Sequence, residues 1–228
     1  MKSRIIQFFL LIIALIAMNC AGEKAHRKNK QKKEQSPLSK EVKIGNQIWM
    51  TSNLDVAKFQ NGDWIPHAKT SEQWIKASDN KQPAWCHYGN LSSNGKLYGK
   101  LYNWYAITDK RGLAPKGWRI PTDQEWSDLI EAAGGENEAG AKLKSEKGWN
   151  ENGNGNNEYD FTGLPAGVRL SNGDFGSLGY LSYWWSSNEK NSKMSYYRLF
   201  YQALDRVDRI AYDKGGGLSV RCVRDLNQ

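Results

Sequence analysis

The most regular hydrophobic pattern in the chain lies within residues 112–135. Four apolar side chains recur there at a spacing of three or four residues: Trp126, Leu129, Ile130 and Ala133. This spacing places side chains on one face of an α-helix. Thr122 precedes the pattern as an N-cap, and Glu125 is placed to complete a reciprocal capping box. Gly134 and Gly135 then favour a helix end. The segment therefore predicts a capped helix with Trp126 in the core.

Other segments show weaker helical patterns or strict alternation. Thr70 is expected to cap a short helix, and a second weak helix is predicted over Glu138 to Lys147. A hairpin is predicted over residues 42–50, turning at Gly45 and Asn46. From residue 148 onward alternating segments dominate, notably 197–203 and 218–223. Early helices followed by a strand-rich half indicate an α+β domain with antiparallel strands.

The first 20 residues have the pattern of a secretory signal. A basic start is followed by a short apolar run that ends at Cys20. The sequence AMNC (17–20) resembles the lipobox of bacterial lipoproteins, which implies cleavage before Cys20 and its lipidation. Met18 and Asn19 are atypical of a lipobox, so a secreted form and an uncleaved anchor are the alternatives.

Residues 21–40 are polar, basic and without periodicity, which predicts a disordered tether. This leader carries most of the net charge of +8, so the sequence pI of 9.3 says little about residues 41–228. We therefore expect no nucleic-acid partner. The tether is expected either to contact anionic lipid head groups or to serve as a solvated spacer.

The remaining cysteines are Cys86 and Cys222. An even pair in an exported, oxidising setting favours a structural disulfide between them. No CxxC or HxxxH motif accompanies them, so they do not form a metal motif.

Five motifs occur in a characteristic order: IGNQIWMTSNL (44–54), YGKLYNWYAI (98–107), GLAPKGWRIPTDQEW (112–126), GYLSYWWSSN (179–188) and LSVRCVRD (218–225). Together they resemble the Fibrobacter succinogenes major paralogous (FISUMP) domain, over about residues 42–225. That family looks related to the C-type lectin-like fold and to formylglycine-generating enzymes. The resemblance implies a twisted antiparallel sheet that pairs the two chain ends, two flanking helices and a long loop region. It also supports the Cys86–Cys222 disulfide.

The resemblance allows enzymatic and metal-dependent functions to be weighed. Formylglycine-generating enzymes hold copper with two active-site cysteines, whereas Cys222 lies in the closing strand of this chain, so that chemistry is not expected. His67 and His87 are the only histidines of the domain, and neither has a partner at ligand spacing. The E-P-N, Q-P-D and W-N-D motifs of calcium-dependent lectins are absent from the sequence. We expect no catalytic residue, cofactor or metal.

Aromatic residues suggest a binding function. They cluster in the strand-rich half, and Trp and Tyr are common where proteins bind sugars or other proteins. Trp184 and Trp185 are predicted to be structural. The ligand-binding candidates are the residues out of phase with the predicted core: Tyr180, Tyr196, Arg198 and Arg206.

The sequence therefore predicts a lipoprotein of the bacterial cell envelope, anchored extracytoplasmically and expected in the outer membrane. Its domain (41–228) is expected to recognise an extracellular carbohydrate or protein without catalysis, through the loop face around residues 151–213. One alternative is a structural or envelope-assembly protein without a specific ligand. Another is an uncharacterised enzyme on a scaffold like that of formylglycine-generating enzymes.

Overall fold

The computed structural model describes residues 41–226. The predicted signal (1–20), the lipidation site Cys20 and the predicted tether (21–40) lie outside the described residues. The described helices are α1 (Ser71–Asp79), α2 (Ser92–Tyr98), α3 (Trp104–Ile107), α4 (Asp123–Ala132) and α5 (Ala139–Leu143). The described strands are β1 (Glu41–Ile44), β2 (Gln47–Met50), β3 (Trp85–Cys86), β4 (Leu101–Tyr102), β5 (Val168–Arg169), β6 (Phe175–Gly176), β7 (Leu181–Glu189), β8 (Met194–Tyr201), β9 (Val207–Asp213) and β10 (Val223–Asp225).

The first sheet joins the two ends of the described chain. Strands β1 and β2 form the predicted hairpin, and Gly45 takes the positive φ of 58° that its turn requires. Strand β10 pairs with β2 on its other side, with Val223 opposite Trp49 and Asp225 opposite Gln47. The expectation that the two chain ends meet in one antiparallel sheet is confirmed.

Helix α4 forms as its pattern predicts. The Thr122 side chain accepts a hydrogen bond from the Glu125 amide, and the Glu125 carboxylate accepts one from the Thr122 amide. The four stripe residues are all buried, and Trp126 is fully buried. Gly134 and Gly135 both have positive φ and end the helix. Helix α1 is likewise capped by Thr70.

The second sheet, β7–β8–β9, is antiparallel and covered on both faces. Trp185, Tyr197 and Leu199 belong to one hydrophobic cluster, whereas Trp184 and Phe200 belong to another that also contains Trp126. Trp184 and Trp185 are fully buried, which confirms their predicted structural role. Each face of this sheet therefore carries part of the core.

The second predicted helix is shorter than expected. Instead of Glu138 to Lys147 it spans Ala139–Leu143, because Lys144 turns to an extended backbone with ψ of 145°. Lys144 then forms a parallel bridge with Gly163, and the amide of Ser145 donates to the Gly163 carbonyl. Pairing with this neighbouring segment replaces the last helical turns.

The predicted Cys86–Cys222 disulfide is wrong for this structure, in which both residues are buried free thiols. The two side chains belong to separate hydrophobic clusters. Cys86 packs with Trp74 and Leu101, whereas Cys222 packs with Met50 and its neighbours. The even number of cysteines in the domain gives no information on how far apart the two side chains lie in the fold.

The predicted fold class is confirmed at the level of an α+β domain built from small antiparallel sheets and few helices. None of the helices that the structure describes combines the length and the apolar character that a membrane crossing requires.

Candidate functional site: a polar cleft beside Tyr180

A polar cleft of about 360 Å³ opens between two loops of the strand-rich half. One wall is the segment 151–154, and the other is the segment 202–205, which connects β8 to β9. The lining is almost entirely polar: Lys144, Glu151, Asn152, Gly153, Asn154, Gln202, Ala203 and Asp205. The cleft therefore offers carboxylate, amide and ammonium groups within a small volume.

Tyr180 borders this cleft and is one of the four predicted binding residues. Its side chain is 42% exposed, and its hydroxyl donates to Glu151 Oε1 at 3.4 Å. The amide of Gln202 donates to the Tyr180 carbonyl at 2.8 Å. Gln202 Nε2 also donates to the Glu151 carbonyl at 3.4 Å. Tyr180 is thus fixed to both walls while its ring stays accessible to solvent.

The first wall has an unusual backbone. Glu151 and Asn152 both take positive φ values, 50° and 62°. Such left-handed conformations are uncommon for residues other than glycine, and they concentrate at ligand-binding and active sites. Gly153 approaches the second wall so closely that a Cβ atom there would overlap the Gln202 carbonyl oxygen. Only glycine lets the two walls meet at this point.

The buried Lys144 holds the second wall in place. Its side chain is 3% exposed, and its ammonium donates to the carbonyls of Tyr201 and Leu204, both at 3.2 Å. The Gln202 carbonyl lies at 3.5 Å and the Asp205 carboxylate at 3.7 Å. Burial lowers the pKa of Lys144, while Asp205 acts in the opposite direction. One ammonium therefore contacts four oxygen atoms of the 201–205 turn.

The structure does not bring the other three predicted residues into this cleft. Arg206 is exposed and pairs with Asp208 at 2.5 Å. Tyr196 is half-buried, with the guanidinium of Arg209 3.6 Å above its ring. Of the four predicted residues only Tyr180 borders the cleft. Tyr196 and Arg198 lie on β8, and Arg206 lies in the turn that follows it.

The expectation that Arg198 is accessible to a ligand is wrong, because this residue is only 1% exposed. Its guanidinium donates to Asp123 Oδ1 at 2.5 Å and to Ser127 Oγ at 2.9 Å, and so ties β8 to the start of α4. Arg209 donates to the other Asp123 oxygen at 2.6 Å. Arg198 is out of phase with one core face but faces the other, which α4 covers.

A second polar cluster unites the two histidines that appear isolated in the sequence. The ring of His67 stacks on Trp85, and His87 meets Trp85 edge-on at 5.2 Å between centroids. The buried Lys100 lies 4.6 Å above the Trp85 ring and is paired with Asp55. Burial is the main cause that lowers the pKa of both His67 and His87.

Sequence reasoning missed the residues that line the cleft. The Asn152–Asp160 loop is rich in oxygen side chains, but without a metal-binding spacing it suggests only a surface loop. No group of three or more His, Cys, Asp and Glu side chains in residues 41–226 is arranged to hold a metal ion. The asparagine-rich composition of this loop could have indicated the cleft, since asparagine side chains favour sharp turns and can form hydrogen bonds with a ligand.

Comparison with known proteins shows that the chain matches the model of a protein family. A model of the family described as the Fibrobacter succinogenes major domain matches residues 42–224. No curated protein sequence matches the chain. The family match covers the cleft, the second sheet and the pairing of Val223 with Trp49.

Proposed function

The chain belongs to the Fibrobacter succinogenes major domain family, and from this premise we propose that it recognises an extracellular carbohydrate without catalysis. An extracellular protein is the second ligand class. The proposed binding surface is the loop face around residues 151–213, centred on the polar cleft beside Tyr180. The proposal includes a C-type lectin-like fold, which the pairing of the chain ends in one sheet supports.

The observation that carries the proposal is the exposed Tyr180 ring at the edge of a cleft of amides and carboxylates. A flat aromatic ring can stack on the apolar face of a sugar ring. The amide of Asn152 can donate hydrogen bonds to sugar hydroxyls and accept them, and the carboxylates of Glu151 and Asp205 can accept them. Because the cleft walls are fixed by Lys144 and Gln202, little conformational entropy is lost on binding.

A non-catalytic role is also supported by the cysteines. Burial raises the pKa of the Cys86 thiol to about 11 and that of Cys222 to about 12. The thiolate is the form that acts as a nucleophile or metal ligand, so both groups are poorly suited to such chemistry. If the protein is instead a structural or envelope-assembly protein without a specific ligand, no binding experiment should detect a carbohydrate or protein partner.

We further propose that the protein is anchored through Cys20 in the bacterial cell envelope, facing outward from the cytoplasm. The apolar start, the cysteine that ends it and the basic segment 21–40 support this location. The membrane is then a partner only through the anchor, and no nucleic acid is involved.

The test is a glycan array and a cell-envelope pull-down with the full-length protein. Tyr180→Ala should weaken binding about tenfold or more, because it removes the stacking surface. Tyr180→Phe keeps the ring and should retain most of the affinity. Glu146→Gln changes an exposed carboxylate outside the cleft and serves as the control. Unchanged binding of every bound glycan and envelope component in Tyr180→Ala, or no binding at all, would contradict the proposal.

A further inference from the structure

Trp64 is the most exposed large apolar side chain in the part of the chain that the structure describes, at 69%. An indole is usually buried, since burial of its large apolar surface stabilises the fold. Every other described tryptophan is buried or half-buried. Because tryptophan is among the residues most enriched at binding hot spots, this exposed indole is a candidate contact surface.

The support of Trp64 is a tight hairpin over residues 57–65. The amide of Phe59 donates to the Asp63 carbonyl at 2.9 Å, and the amide of Ile65 donates to the Ala57 carbonyl at 2.9 Å. Phe59 and Ile65 are both buried and fix the hairpin to the core. Trp64, adjacent to Ile65, is directed away from that core and into solvent.

A cation accompanies the exposed ring. Lys58 is the cross-strand partner of Trp64, and its ammonium lies 4.3 Å from the centroid of the indole ring. Lys58 also lines a cleft of about 270 Å³, together with a second exposed lysine, Lys116. The rest of this cleft is mainly apolar: Val56, Phe59, Gln60, Leu113, Ala114 and Pro115.

Within residues 41–226, neither Lys58 nor Lys116 forms an ion pair. The lysines that form ion pairs in the described chain are others: Lys100, Lys142, Lys144 and Lys214. Arg111, the nearby guanidinium above Phe59, is neutralised by Asp109 at 2.8 Å and Asp63 at 3.3 Å. Lys58 therefore places a positive charge on the indole of Trp64, and Lys116 adds a second one to the cleft that Lys58 also lines.

We propose that Trp64, Lys58 and Lys116 form a second binding site, which takes a carboxylate-bearing saccharide of the hexuronic acid class. The sugar ring stacks on the open part of the indole, and its carboxylate pairs with the lysines. The cleft has room for about one sugar unit, since its volume of about 270 Å³ is just below the range of sites that bind drug-sized molecules. This site is separate from the Tyr180 cleft and does not depend on it.

A saccharide fits this surface better than a protein or a membrane does. A stable protein interface buries about 800 Å² on each partner. Trp64 is the only exposed large apolar side chain of the hairpin 57–65. The exposed neighbours on the hairpin tip are polar, Asn61 and Asp63. Insertion into a lipid surface would bring these polar groups into the bilayer.

The experiment measures binding of the full-length protein to a hexuronate oligosaccharide by titration calorimetry. The comparison ligand is the same oligosaccharide with its carboxylates reduced to alcohols. We expect the acidic form to bind at least ten times more tightly, with an affinity that falls as salt rises. Trp64→Ala should abolish binding of both forms. Lys58→Gln with Lys116→Gln should remove the preference for the acidic form and the salt dependence.

Two controls separate this proposal from the first one. Lys147→Gln removes an exposed positive charge elsewhere and should leave hexuronate binding unchanged. Tyr180→Ala should also leave it unchanged, whatever its effect on other glycans. Thermal unfolding shows whether each variant is folded. The proposal is overturned by equal binding of the reduced oligosaccharide, by full binding in Trp64→Ala, or by binding only to vesicles of anionic lipid.

Discussion

The imidazole of His67 lies parallel to the indole of Trp85, with ring centroids 3.8 Å apart and 9° between the planes. The backbones of these residues form a parallel bridge, and Trp85 Nε1 donates to the Ile65 carbonyl at 2.9 Å. The hairpin that carries Trp64 is thereby joined to β3. The stack is a structural connection whose strength should depend on the protonation of the histidine.

The first prediction concerns pH. Burial, with Lys69, His87, Lys100 and Arg169 nearby, lowers the pKa of His67 below its usual value of 6.5. The unfolded chain therefore takes up a proton at a higher pH than the folded chain does. We expect the contribution of His67 to be fully present above pH 6.5 and to be lost as the pH falls through its folded pKa.

His87 acts in the same direction. Burial and Lys100 lower its pKa, and Asp55 opposes them. Denaturant unfolding between pH 7.5 and pH 5 should show a decrease in the free energy of unfolding. The decrease should be smaller in a variant with both His67→Gln and His87→Gln. An identical pH dependence in this variant would show that the histidines do not carry the effect.

The second prediction concerns Gly95, which lies in α2 against the ring of His87. A Cβ atom at Gly95 would overlap Cδ2 and Nε2 of His87 and lie 2.9 Å from its Cε1. In a helix interior alanine is ordinarily favoured over glycine by about 1 kcal/mol. We expect Gly95→Ala instead to lower the free energy of unfolding by about 1–3 kcal/mol, because the ring must move.

The matched control for this substitution is Gly176→Ala. A Cβ atom there would have only Val168 Cγ1 near it, at 4.0 Å. We expect a change within about 0.5 kcal/mol, measured by denaturant unfolding. Stabilisation by Gly95→Ala would mean that the imidazole does not pack against this helix.

The third prediction concerns Lys144. Lys144→Met keeps much of the side-chain volume but leaves the carbonyls of Tyr201 and Leu204 without their shared donor. We expect a loss of about 2 kcal/mol or more in the free energy of unfolding. Amide hydrogen exchange of residues 201–205 should become faster, because the turn loses its central contact.

Lys142→Met is the control for Lys144→Met. Lys142 lies two positions away and pairs with Glu138 at 3.1 Å on the protein surface, where solvent screens the interaction, so its loss should change the stability much less. Equal effects of the two substitutions would contradict the role assigned to the buried ammonium.

The fourth prediction concerns the cysteines. Because both thiols are buried and their pKa values are raised to about 11 and about 12, a thiol reagent at pH 8 should label neither in the folded protein. Both should be labelled after unfolding without a reducing agent. Mass spectrometry of peptides that contain Cys86 and Cys222 provides the measurement, and a linked peptide pair would restore the disulfide.

The sequence predicted correctly those structural features that depend on residues close together in the chain. The capping box of Thr122 and Glu125 and the turn at Gly45 depend on residues within a few positions of each other, so the sequence contains what is needed to recognise them. Arg198 was misjudged because alternation marks one buried face and cannot reveal that α4 covers the other. The burial of a strand depends on elements far away in the chain.

The candidate site was predictable only in part. Tyr180 was predicted because it is an aromatic residue out of phase with the core, but its neighbours Glu151 and Gln202 come from segments that tertiary packing brings together. Likewise, His67 and His87 have no motif spacing and meet only because both lie beside Trp85. Side-chain clusters assembled from several loops leave no periodic signal in one sequence.

The pairing of Val223 with Trp49 has a consequence for how the domain is made. Among the described strands the hairpin β1–β2 is synthesised before the others, yet one edge of β2 has no partner until β10 has emerged. Contacts between such distant positions form slowly, since a long loop must close first. The nascent domain therefore presents an open strand edge throughout its synthesis, the period in which a chaperone would protect it from aggregation.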